Sequence, residues 1–217
     1  MPAGEPDSDA EANVRGALAA AASCPGGAWV AFSDPPRAGC ALIQGGWARK
    51  IGLDDTRFID VTGTPWGWAA DSTVAQAGEL RTGPLGLDGS FGRHALALPC
   101  SPGLDWEWLA DGVVRRPPDA LVLETYVSGT VPPGCTELAR AAAAAGVCTV
   151  VVAPTPVGAS RYPSMGELAA VGASIRLDLT IELATCCAAT AGGIDQLAPA
   201  HGGAMDDGGD RTGWRNA

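Results

Sequence analysis

The second half of the chain carries a strand–helix–strand pattern, which constrains the fold more than any other feature of the sequence. Residues 120–124 (ALVLE) and 147–153 (VCTVVVA) are continuous apolar runs of strand length. Such runs are typical of strands that are buried on both faces of a sheet. Between them, residues 135–145 (CTELARAAAAA) predict a helix, and Gly146 lies where that helix would end. This order predicts an α/β fold with a parallel sheet covered by helices.

The rest of the chain gives weaker signals. Residues 38–43 (AGCALI) are compatible with a strand or a loop, residues 45–68 predict a loop-like segment, and residues 69–95 predict hairpins or irregular connections. Residues 1–10 predict a disordered lead-in and residues 192–217 a flexible tail. The remaining expected elements are a helix over 11–23, strands over 28–32 and 94–98, and helices over about 105–112, 165–171 and 180–190.

Composition and charge narrow the possible functions. The 217 residues carry a net charge of −10, and an acidic chain repels phosphate backbones, so nucleic-acid binding is not expected. The sequence has no apolar run of about 18–20 residues, so no membrane span is expected. The N-terminal residues are acidic and polar, unlike a secretory signal. We therefore expect a cytoplasmic protein.

The seven cysteines do not form a metal-binding or disulfide pattern. None belongs to a CxxC pair or stands beside a histidine, and an odd number in a chain of this length argues against a disulfide framework. We expect no metal and no cofactor. Most of the cysteines, and Cys148 in particular, are expected to be small buried residues. The seven are Cys24, Cys40, Cys100, Cys135, Cys148, Cys186 and Cys187.

The loop after the strand at 120–124 is the first candidate for a binding site. Ligands of open α/β sheets bind beyond the carboxyl ends of the strands. Backbone groups and hydroxyls at that position would bind a small polar molecule. The alternative is an ordinary connection between a strand and a helix. The candidate residues are Thr125, Tyr126, Ser128, Gly129 and Thr130.

The other candidate groups have ordinary structural explanations, which we favour. His94 and His201 are the only histidines, so any Ser–His or Cys–His catalysis would need one of them. Trp66 and Trp68 are expected either to pack in the core or to form an exposed contact surface. No residue is therefore assigned a catalytic role. The carboxylate clusters, expected to be solvated, are Asp54 with Asp55, Asp105 with Glu107, and Asp206 with Asp207.

Three segments of the second half resemble motifs of the bacterial L-asparaginase/glutaminase family, in the same order and at similar spacing. Weaker resemblances at 29–34 (WVAFSD) and 98–105 (LPCSPGLD) extend the match upstream. The three segments are 119–133 (DALVLETYVSGTVPP), 150–158 (VVVAPTPVG) and 172–180 (GASIRLDLT).

The resemblance implies a division of the chain into two units. Residues 11–100 would form the latter part of the family's α/β N-terminal domain. Residues 101–191 would form its C-terminal domain, which is built on the parallel βαβ sheet.

The resemblance also implies what is missing. Members of the family attack an amide with a threonine hydroxyl in an N-terminal TGGTI loop, assisted by a second threonine followed by aspartate and by a lysine. The sequence contains neither motif, and the family's lysine aligns near Gln44, which cannot take a proton. Lys50, the single lysine of the chain, is out of register. The family's asparagine that completes a neighbouring subunit's site corresponds to Ser128 or Thr130.

Two functions follow from this likeness. The first is an asparaginase-like protein without independent amidohydrolase activity, a pseudo-enzyme or assembly subunit that binds a small amide or amino acid. The alternative is a subunit of a split amidohydrolase that acts on Asn- or Gln-like amides with a separately encoded N-terminal half. A repurposed enzyme is left open, although no group of residues argues for it. The missing strands would expose a sheet edge, which a second copy, a partner chain or residues 40–95 would cover.

Overall fold

The chain folds into an antiparallel unit followed by a parallel one. The helices are α1 (Ala10–Ser23), α2 (Trp106–Arg115), α3 (Pro133–Ala144), α4 (Pro163–Ala170) and α5 (Ile181–Ala188). The strands are β1 (Trp29–Ser33), β2 (Cys40–Gln44), β3 (Ala48–Lys50), β4 (Phe58–Asp60), β5 (Gly67–Ala70), β6 (Thr73–Gln76), β7 (Ala95–Pro99), β8 (Ala120–Glu124), β9 (Cys148–Val152) and β10 (Ser174–Ile175). The computed structural model describes residues 4–6, 8–33, 39–50, 58–81, 91–154 and 162–190.

A parallel sheet of four strands organises the second half of the chain. Its strand order is β10-β9-β8-β7, and β8 pairs in parallel with both neighbours along its whole length. Every residue of β8 is buried. Helices α2, α3 and α4 cover the face with Leu121 and Leu123, and α5 covers the face with Val122. The continuous apolar runs are therefore explained by burial on both faces, and the predicted α/β fold is confirmed.

An antiparallel sheet with strand order β1-β2-β5-β6 organises the first half. Helix α1 packs on this sheet, and it approaches β2 so closely that a Cβ on Gly16 would lie 2.7 Å from Cys40 Sγ. The pair β3-β4 forms a separate two-stranded sheet. The small core between α1 and the sheet consists of Ala19, Ala20, Leu42, Trp66 and Ala69.

Several predictions for the first half are corrected by the structure. The segment 45–68 is not simply a loop, since its described residues contain β3, β4 and the start of β5. These strands are only three or four residues long, too short for their sequences to show a strand pattern, so their conformation depends on their hydrogen-bonded partners. The segment 38–43, for which a strand and a loop were both open, largely belongs to β2. The described part of 69–95 contains the hairpin β5-β6, in keeping with the expected hairpins, and the first residue of β7. Strand β1 is half-buried along its whole length.

The cysteine predictions hold only in part. Cys40, Cys100 and Cys135 are buried, but Cys148 and Cys186 are exposed. Cys148 is the first residue of β9, and only the following residues of that strand are buried. The prediction of a buried Cys148 was wrong, although Val147 and Thr149 on either side of it are buried. Alternate side chains of a strand lie on opposite faces of the sheet, and the face on which Cys148 lies is not covered at this end of β9.

The two ends of the parallel unit meet. Phe91 forms an isolated antiparallel bridge with Thr190, and the Arg93 backbone N–H donates to the Ala189 carbonyl at 3.3 Å. Because β7 pairs with β8, the parallel sheet begins at Ala95, before the division expected after residue 100, and that division stays a prediction. Among the helices of the described residues, none combines the length and apolar character that crossing a bilayer requires.

Candidate functional site

The loop that follows β8 is a tight turn held by its own backbone. The Thr125 N–H donates to the Val152 carbonyl at 3.0 Å, which ties the loop to β9. The Tyr126 N–H donates to the Thr130 carbonyl at 3.0 Å, and the Gly129 N–H donates to the Tyr126 carbonyl at 2.7 Å. Gly129 has a φ of 82°, which glycine adopts without strain. The loop therefore lies at the carboxyl end of the sheet, as the sequence predicts.

The hydroxyls of this loop are bonded within it. Thr125 is buried, and its Oγ1 donates to the Tyr126 carbonyl at 2.9 Å. Ser128 Oγ and Thr130 Oγ1 lie 2.8 Å apart, and Ser128 is exposed while Thr130 is half-buried. A ligand at this loop would therefore meet the Ser128–Thr130 hydroxyl pair rather than Thr125. That the loop binds a ligand stays a prediction.

A cleft of about 600 Å³ lies between the antiparallel unit and the start of α5. One wall is the segment from Gly45 to Lys50, and the other is the first turns of α5 with Thr180 and Glu182. The exposed thiol of Cys186 also lines it. We call this space the seam cleft, and its volume lies in the range of small-molecule sites, which is roughly 300–1,000 Å³.

An ion pair joins the two units beside the seam cleft. Arg49 Nη1 donates to Glu124 Oε1 across the seam. Glu124 ends β8, and its side chain is 8% exposed against 23% for Arg49. The hydrogen bond that Arg49 donates to Glu124 raises the pKa of Arg49, and the charges of Glu124 and Glu182 add to this, so the guanidinium remains a cation at any physiological pH. Sequence analysis did not find this pair, although Glu124 is an isolated charge at the end of an apolar strand.

Thr180 fixes the other wall of the seam cleft. Its Oγ1 accepts the Leu183 N–H at 3.0 Å, which caps α5, and it donates to the Gly46 carbonyl at 3.1 Å. Gly46 packs closely on the same helix, since a Cβ there would lie 2.9 Å from Leu183 Cδ2 and would require the leucine side chain to shift. The antiparallel unit is thus held against α5 by one hydroxyl and by close packing at a glycine.

Gln44, where the family's lysine would align, has both ends of its side chain bonded to backbone. Its Nε2 donates to the Arg81 carbonyl at 3.0 Å, and its Oε1 accepts the Arg81 N–H at 2.9 Å. The Arg81 side chain pairs with Asp60 at 2.7 Å and lies over the Trp47 ring. The Asp60 side chain is fully buried. These contacts explain Gln44 as a structural residue, and Lys50 is the lysine that borders a cavity.

The other sequence candidates are dispersed. His94 is exposed at the opposite end of the parallel sheet, whereas His201, Asp54, Asp55, Asp206 and Asp207 lie outside the described residues. Asp105 Oδ1 accepts the Trp108 N–H at 2.9 Å and caps α2. Within the described ranges, no group of three or more His, Cys, Asp or Glu residues could hold a metal ion.

Trp66 and Trp68 differ in exposure. Trp66 is buried and packs against Trp29 with ring centroids 4.9 Å apart, whereas Trp68 is half-buried. Of the two alternatives left open by the sequence, core packing applies to Trp66.

Comparison with solved structures shows an asparaginase-like fold. The chain is similar to the thermostable L-asparaginase from Thermococcus kodakarensis, with a TM-score of 0.56 and 23% sequence identity over 80% of this chain and 53% of that one. It is also similar to L-asparaginase I from Vibrio cholerae O1 biovar eltor, with a TM-score of 0.56 and 21% identity over 88% of this chain and 58% of that one. The chain therefore spans little more than half the length of these enzymes. No family model and no curated protein matches the sequence.

Proposed function

We propose that this chain is an asparaginase-like protein that binds a small amide or amino acid in the seam cleft and has no amidohydrolase activity of its own. The observation that supports the lack of activity is the hydrogen bonding of the Gln44 side chain. A catalytic lysine must keep its amine free to take and give a proton. At the corresponding position, this chain has an amide with both ends fixed to the Arg81 backbone. The sequence also contains neither the TGGTI loop nor a threonine followed by aspartate.

The charges around the seam cleft support an amino acid as the ligand. Lys50 and Glu182 line the cleft with opposite charges, while Arg49 is already paired with Glu124. A free amino acid carries a carboxylate and an ammonium group, which are complementary to Lys50 and Glu182 respectively. The buried ion pair then acts as a fixed support that holds the β3 wall of the cleft in place.

Calorimetric titration with L-asparagine and L-glutamine tests the binding. We expect saturable binding, and Lys50→Gln should weaken it about tenfold because it removes the partner of the ligand's carboxylate. Arg15→Gln is the matched control, since it removes one positive charge from the exposed face of α1, far along the chain from the cleft. Equal affinity in the two variants, or no heat with either amino acid, would contradict the proposed site.

Ammonia release tests the lack of activity. At amino-acid concentrations that saturate binding in the titration, the purified chain should release no ammonia from L-asparagine or L-glutamine above the uncatalysed rate. Turnover that survives further purification of the chain would overturn the proposal.

The alternative is a subunit of a split amidohydrolase. The specific observation in its favour is the fold itself, which matches little more than half the length of the two asparaginases. A partner chain with the threonine loops would then cover the edge of the antiparallel sheet, where β1 pairs only with β2 among the described strands. A mixture of this chain with a polypeptide that carries TGGTI and a Thr-Asp pair should then release ammonia from L-asparagine or L-glutamine. A stable complex without turnover would favour the assembly role instead.

A further inference from the structure

A second cavity of about 450 Å³ lies at the other end of the parallel sheet from the seam cleft. It runs between helix α2 and the amino ends of β7 and β8, and we call it the α2 groove. His94, which precedes β7, borders it, and the His94 carbonyl accepts the Asp119 N–H at 2.8 Å next to the start of β8. The groove is separate from the binding site proposed above and has no role in that proposal.

The walls of the α2 groove are apolar. Leu96 from β7 and Leu109 and Val113 from α2 line it, and they also pack on the main core of the parallel unit. Trp108, one residue before Leu109, adds an indole that is 70% exposed. An exposed indole at the rim of an apolar groove is a common anchor for ligands, because it offers a rigid aromatic face at little cost in conformational entropy.

Gly112 keeps the groove open. It lies in the interior of α2, where glycine lowers helix stability relative to alanine. Close packing does not explain it, because a Cβ at this position would have no described atom within 4 Å. By contrast, the glycine at 134 is explained by the close approach of Trp106. Gly112 lines the groove, and any longer side chain there would occupy the space of a ligand.

The polar groups of the groove favour an anion. Arg116 and His94 are the ionisable residues that line it, and no carboxylate does so among the described residues. The Asp119 carboxylate lies next to the groove, since its Oδ2 accepts the His94 backbone N–H at 2.7 Å. Arg116 therefore places a positive charge in the groove, although the chain as a whole has a net charge of −10. A guanidinium beside an apolar wall is suited to bidentate binding of a carboxylate or a similar acid group.

We propose that the α2 groove binds a small organic anion with an aromatic or aliphatic body, with its acid group on Arg116 and its apolar part between Trp108 and Leu109. The open position at Gly112 leaves space for that apolar part beside α2. The size of the groove, its apolar walls and its cation at one end select this chemical class.

Fluorescence titration with anilinonaphthalene sulfonate, an aromatic anion, tests the proposal on the full chain. We expect saturable binding to one site per chain. Gly112→Leu should weaken it at least tenfold by filling the groove, whereas Gly112→Ala should change it less and should raise the melting temperature. Circular dichroism of each variant checks that α2 is retained.

The role of charge is tested with a matched pair of variants. Arg116→Gln should weaken binding of the sulfonate about tenfold and should leave binding of neutral phenylnaphthylamine nearly unchanged. Arg115→Gln is the control, because this neighbour lies outside the groove, points to Asp111 and carries the same charge. Equal losses in the two arginine variants, or an unchanged affinity in a folded Gly112→Leu protein, would overturn the proposal.

Discussion

Gly134 marks the closest contact between two helices. It lies in the first turn of α3, where the side chain of Trp106 from α2 occupies the space that a Cβ would need. The nearest atom is the Trp106 Cβ, which is bonded directly to the backbone of α2 and cannot rotate away. Nothing in the sequence around Gly134 shows that Trp106, in the preceding helix, occupies the space of a side chain there.

Gly134→Ala is therefore expected to be destabilising although alanine favours helices. The methyl would force α2 and α3 apart, which costs about 1–3 kcal/mol in a packed core. Urea unfolding followed by circular dichroism measures this. The control is Gly166→Ala in α4, where a Cβ would meet no described atom within 4 Å. That variant should gain about 0.5–1 kcal/mol, and a stabilised Gly134→Ala protein would contradict the packing.

Cys100, which follows β7, and Cys135, which lies in α3, form a buried pair of thiols. Cys100 Sγ and Cys135 Sγ lie 3.8 Å apart. Their hydrogen bond, together with burial, raises the pKa of Cys100 well above its ordinary value of 9.0. The unfolded chain therefore loses this proton at a lower pH than the folded protein does. Stability from this source is complete below about pH 9 and falls as the pH rises further.

Alkaline unfolding tests this pair. The free energy of unfolding should fall above about pH 9 by at most roughly 1.4 kcal/mol per pH unit for one thiol. Cys100→Ala should flatten that slope, whereas Cys148→Ala, at an exposed position, should leave it unchanged. If the free energy of unfolding fell more steeply with pH in Cys100→Ala, the inferred rise in the pKa of Cys100 on folding would be contradicted.

The features of single residues were predictable from the sequence where they depend on adjacent residues. They were not predictable where they depend on residues far along the chain. Gly146 ends α3 with a φ of 76°, as expected of a glycine after a helix. Cys148 was misjudged because its exposure depends on what covers the end of β9. The partners of Gln44 and Glu124 lie 37 and 75 positions away, and no local pattern records them.

Elements were predictable to the degree that burial gave them a continuous pattern. Strand β8 has the bounds that its apolar run predicts, and α3 differs by two residues at its start and one at its end. Strands β3 and β4 were missed because three residues cannot show a period. Strand β10 has only two residues, and its pairing with β9 defines it as a strand.

Helix α5 depends on one hydroxyl at its start. Thr180 is 2% exposed, and its Oγ1 bonds both to Leu183 and to Gly46. Thr180→Val, which keeps the shape and removes both bonds, should lower the free energy of unfolding by about 1–2 kcal/mol. Thr180→Ser keeps the hydroxyl and should cost less. Thermal unfolding of the two variants decides the point, and an equal loss in both would show that packing of the methyl matters more than the cap.

At the scale of the whole molecule, the α/β class followed from the pattern of strands and helices, and the resemblance supplied the asparaginase-like arrangement. The seam between the two units was not predictable. It is formed by Arg49, Glu124, Thr180 and Gly46, which are scattered over both units and contact one another only in the folded chain. The candidate loop at 125–130 lies at the carboxyl end of the sheet, as the sequence predicts, but its residues line neither the seam cleft nor the α2 groove.

A double-mutant cycle measures the ion pair of the seam. Arg49→Met alone leaves the buried Glu124 carboxylate unpaired, so we expect a loss of about 2 kcal/mol. The double variant Arg49→Met with Glu124→Leu should recover part of that loss, giving a coupling energy of roughly 1–3 kcal/mol. The exposed pair Arg15–Glu11 is the reference, with an expected coupling of at most about 0.5 kcal/mol. Additive losses at the seam would show that the pair is not formed in solution.

The bridge between Phe91 and Thr190 has a consequence for how such a chain can be inherited. A segment that starts and ends at the same point in space can be joined to new neighbours without stretching its own backbone. Because the ends of the stretch from Phe91 to Thr190 lie together, recombination could join it to other sequences without separating those ends. Other sequences could then replace the antiparallel unit. They would have to provide new contacts in place of those that Arg49 and Thr180 make between the two units.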